Sequence, residues 1–163
     1  MANAKTSNVN PIARAWILSL AGFIPFAGLS VFIFINNETH PMFSLSVDMF
    51  KIWSAIILSF LGGIRWGVAI TGVPSDEEFT EGQYPRGAYQ LLFSVVPSVV
   101  ALFTLLLPSI HAVIVLMICF CIQGIWDSFS SMNGQLPKWM GSIRITLTIL
   151  VVAAHAAVLL ALA

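Results

Sequence analysis

Five apolar stretches, each about as long as a bilayer is thick, take up most of this sequence. They run roughly over 12–35, 48–71, 88–107, 110–129 and 142–163. A hydrocarbon core of about 30 Å takes about 20 helical residues to cross. Lipid offers no partner to a backbone N–H or C=O, so each crossing segment has to be a helix. The stretches therefore predict an all-α, polytopic integral membrane protein with five transmembrane helices. Charge supports this: 9% of the chain is charged and its mean hydropathy is +0.94, whereas a soluble domain is about 25% charged. Such a chain could not cover a soluble surface. The connectors carry Gly, Pro, Asn and Ser, the residues of turns: Asn36 to Pro41, Gly72 to Asp76, Pro108-Ser109 and Met132 to Pro137. The chain, 1–163, reads as a single transmembrane domain, with no loop able to house a soluble active site. Pro108-Ser109 is so short that the third and fourth spans are expected to form an antiparallel hairpin.

Orientation follows from Lys and Arg beside the span ends. One side collects Lys5, Arg14, Arg65, Arg86, Lys138 and Arg144, and the other has Lys51. That puts the N-terminus in the cytoplasm and the C-terminus in the periplasm. The acidic run Asp76, Glu77, Glu78 and Glu81 weighs little in this rule and reads as a solvated cytoplasmic loop. The first apolar stretch is too long for a signal-peptide core and contains Pro25, so it is expected to be retained. No Arg- and Ser-rich presequence precedes it, which points to a bacterial inner membrane. Trp16, Tyr84, Tyr89, Trp126 and Trp139 fit an aromatic belt on the cytoplasmic side, and Trp53 one on the other.

Packing between helices in lipid relies on small residues and interhelical hydrogen bonds. In the second span Ala55, Ser59, Gly63 and Gly67 recur every four residues, a groove expected to hold the main helix contact. Arg65 stands about 200° around the helix from Gly63, on a face with Leu58 and Leu61. Two outcomes are open to it: snorkelling to lipid phosphate, or pairing with Asp127 near the same end of span four, since an unpaired buried Arg is costly. Polar residues also fall on shared helix faces: Gln90, Ser94 and Ser98; Gln123 and Asp127; Arg144, Thr148 and His155. These faces should turn inward. They predict a polar seam with Arg65, Asp127 and Arg144 at one level and His155 about 16 Å deeper than Arg144. Trp66, beside Arg65, is placed for a cation–π contact with Arg144.

Arg14 precedes Pro25, and Arg86 precedes Pro97, by the same interval, and Gly63-Ile64 echoes Gly124-Ile125. A duplicated helical hairpin followed by a fifth helix would produce this pattern. Cys119 and Cys121 point to opposite sides of one helix and read as small core residues, so no metal site is expected. Haem ligation by His155 would need a second histidine at its depth, and His111 lies near the far end of span four. No H-E-x-x-H, G-x-S-x-G or Walker A run occurs, so no catalytic residue and no cofactor is assigned. Lys and Arg number 7 against 7 Asp and Glu, which gives no reason to expect a nucleic-acid partner.

The run Ser59-Phe-Leu-Gly-Gly-Ile-Arg-Trp-Gly67 resembles the hallmark of the transmembrane protein 69 family, small polytopic membrane proteins of unknown function. The similarity extends to Pro25, Gly28, Pro97, Lys138-Trp139 and Arg144. The resemblance implies a bacterial or mitochondrial multi-span protein and brings no activity with it. A membrane enzyme stays open only because charges inside a membrane often mark function; two other functions fit the sequence. One is a non-enzymatic scaffold or accessory subunit, working with a membrane-protein partner or as a homo-oligomer through the groove at Gly63. The other is a carrier or binder of a lipid-like or small polar ligand, a quinone or a phospholipid headgroup, at a cytoplasmic-side cluster of Arg65, Trp66, Asp127 and Arg144.

Overall fold

The computed structural model describes residues 10–36, 38–71, 86–134 and 136–163, with backbone alone for 71 and 86–88. The described residues form five helices: α1 (Pro11–Ile35), α2 (Phe43–Thr71), α3 (Arg86–Thr104), α4 (Ser109–Met132) and α5 (Lys138–Leu162). Among them there is no strand. α1, α2, α4 and α5 are long and apolar enough to cross a membrane, while the apolar part of α3, Tyr89–Thr104, is shorter. Lys5, Tyr84, the acidic run at Asp76, Glu77, Glu78 and Glu81, and the side chain of Arg86 lie outside the described residues.

Helix ends follow local chemistry more closely than hydropathy. Asn10 caps α1 by accepting from the Ile12 amide at 3.0 Å, with Pro11 at the first helical position, where its missing N–H costs nothing. α2 begins at Phe43, five residues before the apolar stretch, because nothing between Phe43 and Asp48 breaks a helix. The Ser46 hydroxyl donates to Met42 O at 2.8 Å within that first turn. α3 stops at Thr104 instead of reaching Leu107. Leu105, Leu106 and Leu107 donate to the carbonyls three residues back, a tightening imposed by Pro108, which disfavours α geometry in the residue before it. α4 runs on to Met132, and α5 starts at Lys138 directly after Pro137. Between them Gly134 takes φ +75°, a left-handed conformation that glycine adopts without steric cost.

The most extensive helix contacts are α2 with α3 and α4 with α5, followed by α1 with α5. α3 and α4 pack on one another least of these neighbours, so the tight Pro108 turn joins helices that splay apart. The two halves of the proposed hairpin repeat, α1–α2 and α3–α4, are therefore packed differently.

α2 runs against α3 with Gly62 at the crossing. A Cβ there would sit 2.6 Å from the Ser94 carbonyl, and the Ser98 hydroxyl reaches Ser59 O at 3.5 Å. The expected groove is thereby corrected. Ala55 is buried and Ser59 half-buried, but Gly63 and Gly67 are exposed, and a Cβ on either would meet nothing within 4 Å among the described residues. The physical reason is angular: the buried face of α2 runs through Ser54, Leu58, Leu61, Gly62, Arg65 and Ala69, and Gly63 lies one step of about 100° beyond it. α4 and α5 meet as closely at Gly124, where a Cβ would collide with the Thr148 side chain, and at Gly141, where it would lie 2.6 Å from Ser131 Oγ.

The centre of the bundle is an aromatic cluster on one histidine. His155 is fully buried, with the rings of Phe50, Phe120 and Phe26 at 4.8, 5.4 and 5.8 Å. Its Nδ1 lies 2.8 Å from Val151 O, and its Nε2 3.2 Å from the Ser54 hydroxyl. A carbonyl can only accept, so Nδ1 carries a hydrogen. Phe26 stands edge-on to both Phe50 and Phe120, the arrangement ring quadrupoles favour. α1, α2, α4 and α5 all contribute to this layer. Nearby the Trp53 indole donates to Gly22 O at 3.2 Å, tying α1 to α2.

Candidate functional site: a buried Arg–Asp–Arg triad beside a lateral cavity

Eleven residues along α2 from Ser54, and eleven back along α5 from His155, the charged residues meet. By helix rise this layer lies about 16 Å from the aromatic one. Arg65 Nη2 is 2.6 Å from Asp127 Oδ1, and Arg144 Nε is 3.1 Å from Asp127 Oδ2. One carboxylate thus bridges two guanidinium groups and links α2, α4 and α5. Gln123 Nε2 donates to Asp127 Oδ1 at 3.3 Å, and Arg65 Nη1 donates to Ser130 Oγ at 2.7 Å. The Arg65 guanidinium also lies over the Trp126 ring, 4.8 Å from its centroid. All three charged residues are buried. Arg65 therefore does not snorkel; it is held inside the bundle by its partners.

The triad is not fully satisfied. Arg65 Nη2 approaches Asp127 as an ion pair without the alignment of a hydrogen bond, and its buried Nε meets no acceptor among the described residues. Two cations share one anion, so the cluster carries an excess positive charge within those residues. A single charge stranded in hydrocarbon costs several kcal/mol, which makes the excess the most consequential feature of the site.

Beside the triad lies a partly open cavity of about 380 Å³ between α1, α2, α4 and α5. Asp127 and Arg144 line it, Trp139 and Met140 flank them, and Phe26, Phe120 and Val151 line it as well. Since Val151 is two turns along α5 from Arg144, the cavity reaches from the charged layer toward the aromatic one. Apart from Ser19, Thr148, Trp139, Asp127 and Arg144, its wall is apolar. Gly124 and Thr148 separate it from a second, more open groove of about 340 Å³ against Phe129, Met132, Ile145 and Ile149. Among the described residues no group of three or more His, Cys, Asp and Glu side chains could hold a metal ion.

Of the residues singled out from the sequence, Arg65, Asp127 and Arg144 converge. Trp66 does not: it is 44% exposed, because the step of about 100° from Arg65 carries it off the buried face. The cation–π partner is Trp126, on α4, and the cation is Arg65 rather than Arg144. Ser130 joins them, and its sequence signal is its place three residues after Asp127 and seven after Gln123, on the same helical face. Trp139 reads from the sequence as a belt residue and lines the cavity as well.

The family described as "Protein of unknown function (DUF3429)" matches residues 11–160. The chain belongs to that family. The DUF3429 match takes in all five helices but for the last residues of α5, and with them the whole triad and the cavity. Its description carries no transmembrane protein 69 name, so that likeness stays at the level of the residues quoted for it. No curated protein and no solved structure matches the chain.

Proposed function

We propose that this DUF3429 protein is a five-span protein of a bacterial inner membrane, N-terminus cytoplasmic, that holds a small amphipathic molecule in the cavity between α1, α2, α4 and α5. The observation that carries the reading is the cavity's polarity: ionised groups line it at Asp127 and Arg144, and apolar side chains make up nearly all the rest. A pocket of 300–1,000 Å³ with a few convergent polar groups is the usual form of a small-molecule site. A purely structural ion cluster gains nothing from an adjoining void, since the lining of a void forfeits packing contacts. The topology rests on Lys and Arg placement and on α3 crossing despite its shorter apolar run.

The scaffold or accessory-subunit reading has its own support. Gly63 and Gly67 are exposed on α2, and an open small-residue face suits close approach by a neighbouring helix. Native mass spectrometry of the protein purified in dodecyl maltoside separates the two. A bound lipid or quinone at one per chain is expected. A folded protein that carries no small molecule and accepts none when titrated would leave the scaffold. Orientation has a separate check: a C-terminal alkaline phosphatase fusion should be active in a bacterium, and an inactive one reverses the topology.

A further inference from the structure

We infer that the molecule held in this cavity is a single-chain amphiphile with an oxyanion head, a carboxylate or a phosphate. The inference rests on the proposal that the cavity is a ligand site, and adds what its head must be. Among the described residues the charged layer holds two guanidinium groups and one carboxylate. Their remaining donors are unequal. Arg65 is engaged by Asp127, Ser130 and Trp126, and does not line the cavity. Arg144 does line it, and Asp127, met through Nε, is its one ion-pair partner among those residues. Its forked Nη groups are the donors left for a ligand. A guanidinium presents five N–H donors in a planar fork that matches carboxylate and phosphate oxygens.

The alternatives fit less well. A cationic head would have to approach Asp127, whose oxygens are already ion-paired with two arginines and accept from Gln123, and would add to a positive excess. An uncharged head, such as a quinone carbonyl, could accept from Arg144 but would leave that excess uncompensated. A free anion would balance the charge yet leave the apolar wall formed by Phe23, Ile57, Ile64 and Leu147 without an occupant. The volume of about 380 Å³ falls at the low end for ligand pockets, which suits one acyl chain better than two.

The test uses the protein in dodecyl maltoside and the fluorescence of Trp139, which lines the cavity. Three brominated amphiphiles are titrated: stearate, a lysophosphatidate and an uncharged monoacylglycerol, with Trp139→Phe identifying the quenched ring. At least one of the two anionic probes should quench Trp139 saturably and bind about tenfold or more tighter than the monoacylglycerol. Arg144→Gln should remove that preference, weakening the anionic probe by about tenfold to a hundredfold for a lost charge-assisted contact, and weakening the monoacylglycerol by less. Whichever anion binds tighter settles carboxylate against phosphate. Equal binding of all three probes by the unaltered protein would overturn the oxyanion and leave the cavity reading standing. No quenching by any would overturn both. Displacement of the bound amphiphile by acetate or inorganic phosphate at matching concentration would overturn the acyl chain. The comparison of probes needs no variant, so a misfolded Arg144→Gln protein would not spare the inference.

Discussion

Replacing Asp127 with asparagine keeps the side chain's shape and removes the one negative charge in the triad. Both Arg65 and Arg144 would then stay buried without a counter-charge. Breaking a buried ion pair by deleting one partner costs about 3–5 kcal/mol, and here one substitution strands two cations. Arg65→Met is the informative comparison. It leaves Arg144 and Asp127 as a balanced pair at 3.1 Å, and forfeits mainly the charged hydrogen bond to Ser130, worth about 1.5–3 kcal/mol. Asp127→Asn should therefore be the more damaging change. The double variant Arg65→Met/Asp127→Leu still strands Arg144 and should not recover. The triple variant, with Arg144→Met added, removes every charge and should regain most of the loss, since well-packed apolar replacements of buried ion pairs are often neutral or stabilising. Unfolding in dodecyl maltoside, by SDS titration or heat, read by circular dichroism, gives the order directly. The charge-count reasoning fails if Asp127→Asn is no less stable than Arg65→Met, or if the double variant recovers as fully as the triple.

Packing yields sharper contrasts between neighbours. Gly62→Val should cost about 1–3 kcal/mol, because its side chain would press on the Ser94 backbone, whereas Gly63→Val, facing open space, should be near neutral in the same unfolding assay. Gly124→Ala should destabilise by pushing on Thr148, and Thr148→Ala should restore much of the loss; a double-mutant cycle without coupling would contradict the contact. His155→Ala should cost about 2–4 kcal/mol by opening a void among Phe26, Phe50 and Phe120, seen as a lowered unfolding midpoint; no shift would mean the aromatic layer is not close-packed.

The helices were legible in the sequence because apolar length and turn residues act locally. Their ends were less so: α2 extends to Phe43 through a stretch in which polar and apolar residues alternate, and α4 to Met132 through Ser130-Ser131, whereas Pro108 and Pro137 mark boundaries that hydropathy alone misplaces. The convergence of Arg65, Asp127 and Arg144 could be read because ionised groups in lipid need partners and these lie at one depth. Angular detail was harder. Gly62 and Gly63 are adjacent, and only the direction from which α3 approaches decides which of them is the contact. The same step of about 100° separates Arg65 from Trp66, so a pair of neighbours in sequence splits between the interior and the outside. The cavity left no trace, since it depends on how four helices fail to fill the space between them.

The reach of α2 bears on how far the triad stands from water. Its 29 residues make a rod of about 43 Å, longer than the hydrocarbon it crosses by about 10 Å even at a tilt of about 20°. Shared between its two ends, that surplus lifts roughly three or four residues clear of the acyl chains on each side. With that equal sharing Arg65, six positions before Thr71, would sit just beneath the glycerol level, not at the bilayer centre. An amphiphile could slip sideways from its own leaflet into the bundle with its polar end scarcely changing height.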